Sequence, residues 1–160
     1  MRRALQASLL LVVGLAAVGC RPFRIDTPDS FIEVEESRRS FYDYRATSAD
    51  GVVVAVRAIE NDRRGTLDFW AQAVRNKLRD ARGYALTDEH DLNARGGMPG
   101  KQLRFGRDES GHSYTYWVTL FVRRDGSKPR VWVIEAGGQS EVFEQRREEL
   151  ERLIASFEPL

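Results

Sequence analysis

The residues able to do chemistry in this 160-residue chain are few and stand apart. There is one cysteine, Cys20, and two histidines, His90 and His112. His90 lies between Glu89 and Asp91, and His112 follows Asp108 and Glu109. Either grouping has the residue types for a divalent metal or for acid–base work. Neither has the ligand spacing of a known metal site. The chain shows no Gly-x-Ser-x-Gly elbow, no phosphate-binding loop and no His-Glu-x-x-His pair. No serine has the context of a nucleophile, so a hydrolase drawing on one of the histidines remains only as an alternative. We therefore expect no catalytic residue, no metal and no cofactor.

A second candidate set is aromatic. Tyr114 and Tyr116 share one face of an alternating segment, and Trp117 turns to the other with Thr115, Thr119 and Phe121. Trp132 alternates against Val131 and Val133. Rings on a sheet can line a groove for a peptide, a glycan or a lipid chain. The same pattern also serves as core beneath a helix.

Cys20 closes the segment MRRALQASLLLVVGLAAVGC. Arg2 and Arg3 form a basic start, Leu9 to Val18 is uncharged, and small residues lead into the cysteine. That is the layout of a secretory signal, and the apolar run is too short for a spanning helix. Ala17-Val18-Gly19-Cys20 resembles the bacterial lipobox, with Ala17 where that motif prefers Leu. The resemblance implies cleavage after residue 19 and acylation of Cys20, which accounts for a lone thiol in an exported chain. Two or more acyl chains anchor a protein stably. In lipoproteins an Asp after the cysteine tends to retain the protein in the inner membrane. Arg21 stands there, so the expectation is the outer membrane, facing the periplasm, if the cell has two membranes.

Residues 1–19 then form the signal, 20–22 a short lipidated tether, and 23–160 a single domain. The 141 residues left after cleavage (160 less 19) can bury a core without disulfides. The full chain is at +1; losing two arginines leaves 23 basic and 24 acidic residues, or −1. That balance argues against nucleic acid as a partner. Arginine pairs such as Arg38-Arg39, Arg63-Arg64 and Arg146-Arg147 have acids nearby and read as solvated faces.

The domain reads as strands, a helix, more strands and a helix. Phe23–Ile25, Phe31–Glu35 and Phe41–Arg45 alternate, and Val52–Ile59 is β-branched enough to be covered on both faces. Thr66 is placed to cap a helix whose face is Leu67, Trp70, Ala71, Val74 and Leu78, and Gly83 to stop it. Tyr84–Leu92 is strand-like, and Gly96–Gly100 reads as a loop. Lys101–Phe105, Ser113–Arg123 and Arg130–Ala136 read as strands, with turns at Asp108–Gly111 and Asp125–Ser127. Gly137-Gly138 is expected to end the last strand and Ser140 to cap a final helix, with Phe143, Leu150, Leu153, Ile154 and Phe157 as its apolar face. This order predicts an α+β domain with an antiparallel sheet.

Over residues 23–160 the order resembles the PsbP-like fold, including the DcrB-like bacterial envelope lipoproteins. The features carrying the resemblance are the strands around the Pro28 turn, the Thr66-Leu67-Asp68-Phe69-Trp70 helix start, the run from Gly97 to Phe105, and the long hairpin with its terminal helix ending Ile154-Ala155-Ser156-Phe157. The resemblance implies an α/β/α sandwich with a central, mainly antiparallel sheet. It also implies a binding role, scaffolding or stabilising a larger assembly with an envelope protein partner. A carrier or sensor of a small apolar ligand is the alternative.

Overall fold

Alternation along the longest strand sets the architecture. Successive strand residues point to opposite faces, so Trp117 and Phe121 enter one core while Val118 and Leu120 enter another. Both cores need a cover, and helices supply it on each side. The computed structural model describes residues 21–35 and 41–160; the signal segment, Cys20 and residues 36–40 lie outside the described residues.

The elements in order are β1 (Phe23–Arg24), β2 (Phe31–Glu33), β3 (Tyr44–Ser48), β4 (Val53–Glu60), α1 (Leu67–Arg82), β5 (Ala85–Asn93), β6 (Pro99–Glu109), β7 (His112–Arg123), β8 (Arg130–Gln139), α2 (Ser140–Gln145), α3 (Arg147–Ala155) and β9 (Glu158–Pro159). Seven of the described strands form one sheet in the order β2-β3-β4-β8-β7-β6-β5, with every neighbour antiparallel. α1 packs over β5, β6 and β7 on one face; α2 packs over β7 and β8 on the other. The α+β class and the α/β/α layering are therefore as expected. β1 does not join this sheet but pairs with β9, Phe23 opposite Pro159.

α1 keeps its expected bounds. The Thr66 hydroxyl accepts from the Phe69 N–H at 3.1 Å, and Gly83 ends the helix at φ 66°, a left-handed conformation. Several boundaries differ. β3 runs from Tyr44 to Ser48 where the expected strand is Phe41–Arg45, and β6 extends to Glu109, into the expected turn. β6 begins at Pro99, inside the expected loop. β8 runs through Gly137 and Gly138 to Gln139, because at these positions a side chain would meet the Tyr116 ring at 2.9 Å and Val52 at 3.1 Å. Glycine is there to let neighbours lie close, not to break the strand. The final helix is broken at Arg146, and Ser140 lies inside α2 with Gln139 at the cap position. The Ser140 hydroxyl is engaged instead by Thr115, at 2.9 Å.

Candidate functional site

α2 and α3 cover only part of their face of the sheet. Beside them, over β5, β6 and β7, lies an open cleft of about 600 Å³ lined in part by Asp88, Arg104, Tyr114, Trp117, Glu144 and Arg147. Arg104 and Trp117 are direct partners across β6 and β7, so their side chains share one face. The Arg104 guanidinium lies 4.1 Å from the indole centroid, and the Arg147 guanidinium approaches the same ring at 5.4 Å. Phe143 packs edge-on at 4.8 Å. Trp117 is thus buried under two cations, each contact being worth roughly 0.5–2 kcal/mol.

Each arginine is held by further bonds. Arg104 Nε donates to Gln102 Oε1 at 2.7 Å and its Nη2 to Glu151 at 3.0 Å. Gln102 in turn donates to Thr119 Oγ1 at 2.9 Å, and both of those residues are buried. Arg147 Nε donates to Glu144 at 2.7 Å. That hydrogen bond holds the Glu144 carboxyl below the usual carboxylate range and pushes the Arg147 guanidinium up. On the β5 side, Asp88 lies 3.9 Å from Arg104 and 3.1 Å from His90 Nδ1. The bond from His90 keeps the Asp88 carboxyl low. The cleft therefore presents oriented cations and carboxylates together, a recognition surface for charged and polar groups.

The structure divides the four aromatic candidates. Tyr114 and Trp117 line the cleft. Tyr116 points to the α1 face, where its hydroxyl donates to Glu135 Oε1 at 2.7 Å within a cavity of about 160 Å³ that also holds Tyr42 and Arg57. Burial, then the Glu135 charge, push the Tyr116 phenol far up. Trp132 is fully buried, edge-on to Phe157 at 6.2 Å and under the Arg123 guanidinium at 4.8 Å. It belongs to the core on the α2–α3 face of the sheet. Period two separates Tyr116 from Trp117; Tyr114 shares the parity of Tyr116 but lies near the start of β7, where the cleft also reaches it. His90 and His112 are separated, the first in β5 and the second opposite Glu109 at the β6–β7 hairpin. Among the described residues, no group of three His, Cys, Asp or Glu side chains is placed to hold a metal. Cys20 lies outside the described residues.

Arg104 and Arg147 were not among the sequence candidates. Arg104 was findable, because aligning the β6–β7 hairpin on its Ser110-Gly111 turn puts it opposite Trp117. Arg147 was not, since its approach depends on how α3 docks. A second hollow of about 600 Å³ lies at the start of α1, where Phe69 and Trp70 meet edge-to-face at 5.7 Å beside Gly65.

No family model and no curated protein matches the sequence. Solved structures do. One is LpqN of Mycobacterium tuberculosis, described as involved in cell envelope biogenesis, with a TM-score of 0.67 at 15% identity over 86% of this chain and 83% of that one. Another is cyanobacterial PsbP of Synechocystis, at TM-score 0.56 and 12% identity over 93% of this chain and 99% of that one. The Ran-binding protein Mog1p of Saccharomyces cerevisiae matches at TM-score 0.53 and 12% identity, over 86% and 90%. Proteins with this fold bear unrelated descriptions, so the likeness speaks to architecture alone. The layered sheet, its strand order and these neighbours together give the chain the PsbP-like fold.

Proposed function

We propose that this protein is a cell-envelope lipoprotein, anchored through Cys20, that acts by binding. In this reading it engages and stabilises a protein assembly through the Arg104–Trp117–Arg147 cleft. The observation that carries the reading is the way the cleft is built. Two guanidiniums are stacked and hydrogen-bonded in place, so a partner would order few side chains on arrival. Arginine and tryptophan are also the residues that most often dominate protein interfaces. The lipobox-like run supports the location, with the outer membrane favoured by Arg21 if the cell has two membranes. The shared fold with LpqN, a protein described as involved in envelope biogenesis, is in keeping with it.

The test is in-cell cross-linking of the acylated protein, followed by purification and mass spectrometry. The comparison strains carry Cys20→Ser, or Arg104→Glu with Arg147→Glu. A protein partner should be captured by the wild type and reduced roughly tenfold or more in the double variant, the equivalent of losing at least ~1.4 kcal/mol. No partner above background would overturn the assembly reading. The hollow walled by Phe69 and Trp70 favours a second reading, a carrier of a small apolar ligand. Native mass spectrometry would then show added mass on the purified protein, and a clean apo mass would dismiss it.

A further inference from the structure

We infer that the end of the sheet made by the loop 61–65 and the β7–β8 hairpin docks on an anionic membrane surface, with its cations against lipid phosphates and Phe69 at the headgroup level. This surface is separate from the cleft, and the inference depends neither on the cleft's partner nor on the anchor.

Two arginine pairs far apart in sequence meet at this end. Strand register puts Arg123 opposite Arg130, and Arg130 opposite Glu60, so β7, β8 and β4 share it. The Asn61 N–H donates to the Pro129 carbonyl at 3.0 Å, which ties the loop after β4 to the hairpin. Arg64 takes a left-handed φ of 54°, uncommon for a residue with a side chain, and its Nη1 donates to the Arg124 carbonyl at 2.5 Å. Asn61 is buried and fixes the loop from inside. It donates to the Gly65 carbonyl at 3.0 Å and accepts from the Gly65 N–H at 2.8 Å and from Trp70 Nε1 at 3.3 Å. The loop that carries Arg63 and Arg64 is thus set before any ligand arrives.

The charges gathered there are unbalanced. Arg63, Arg64, Arg124, Lys128 and Arg130 have no ion-pair partner among the described residues. Arg123 beside them is engaged, by the Leu160 carbonyl at 2.8 Å and the Trp132 ring at 4.8 Å. Against those five cations stand Glu60, Asp62 and Asp125, an excess of two (five less three) in a chain whose whole charge is +1. Elsewhere arginines find carboxylates, as Arg104, Arg146 and Arg147 do. Lys77, Arg79 and Arg82 on α1 are unpaired too, but there the helix C-terminus suits cations. Phe69, 60% exposed, lies in the first turn of α1 directly after the loop. Unpaired cations around an exposed aromatic are the composition of a membrane-surface contact. The centre of a protein interface is instead depleted in charge. A soluble polyanion would leave Phe69 in water, so the bilayer is the occupant that uses both features.

The test uses the chain from Arg21 onward. The core described above runs from Phe23 to Phe157, so this chain folds without the leading segment. Co-sedimentation compares vesicles of phosphatidylcholine with vesicles of phosphatidylcholine and phosphatidylglycerol in equal parts. The protein should partition onto the anionic vesicles at least about tenfold more strongly, and lose that preference in about 1 M salt, where the screening length is about 3 Å. Arg63→Glu with Lys128→Glu should weaken the partition at least about tenfold. Both side chains are exposed, so the thermal melt should stay unchanged. Lys77→Glu with Arg79→Glu makes the same change of charge on α1 and should weaken it by less than about twofold. Phe69→Ala should weaken it at least about threefold. Equal binding to the two kinds of vesicle, no binding to either, or equal losses in the two charge-reversed pairs would overturn the assignment. Vesicles left unbound while the Arg63 and Lys128 pair loses the cross-linked protein partner would give this end to a protein interface and overturn it as well.

Discussion

Trp117 belongs to the core and to the cleft at once, and mutation should separate the two contributions. Trp117→Ala removes a buried indole and should cost about 3–5 kcal/mol, read as a lower denaturant midpoint. Arg104→Ala leaves the apolar packing nearly intact. It should shift the midpoint far less while still weakening partner capture. Replacing His90 and His112 together should leave function unchanged; its loss would revive the hydrolase alternative. Carboxylates respond in a defined direction. The Ser48 and Arg146 hydrogen bonds hold Asp50 below its ordinary 3.8, and Arg147 holds Glu144 below its ordinary 4.5. A carboxyl lowered by folding stabilises the fold above its unfolded pKa, and that contribution is lost as pH falls through the folded value. Melting temperature should therefore hold near neutrality and fall below about pH 4.5, and Asp50→Asn should make that fall shallower. At this scale the sequence was least legible. Trp132 and Trp117 look alike in an alternating pattern, and only the docking of α2 and α3 leaves one beside open space.

At the scale of elements, legibility depended on whether a signal acts locally. Thr66 and Gly83 bound α1 through bonds to their own neighbours, so the sequence marked both ends. Thr66→Ala should cost about 1 kcal/mol, the usual loss of a cap. Gly137 and Gly138 looked like a strand end because what they accommodate, the Tyr116 ring and Val52, comes from other strands. Gly100 is the sharper case. A Cβ there would lie 2.3 Å from the Phe121 ring and 2.8 Å from the Leu120 carbonyl oxygen. Because backbone as well as side chain blocks it, Gly100→Ala should destabilise by about 1–3 kcal/mol or more, exceeding Thr66→Ala in the same unfolding assay.

For the molecule as a whole, the order of strands and helices was enough to anticipate the layers, since both faces of the central strands are apolar and each needs a helix. Pairing between distant ends was not, because two-residue strands carry no periodicity. Cys20→Ser should release a folded domain from membranes, checked by fractionation together with a thermal melt. If the serine form is processed and still sediments with membranes, acylation is not what holds it. The β1–β9 pair bears on how the protein is made. Residue 23 cannot find its partner until residue 159 has arrived, and contacts so far apart in sequence form late. A chain delivered N-terminus first thus keeps β1 without its partner strand until residues 158 and 159 have emerged. If Cys20 is acylated as proposed, the modifying enzyme would then meet β1 still unpaired, and the arrival of β9 would lock it in place.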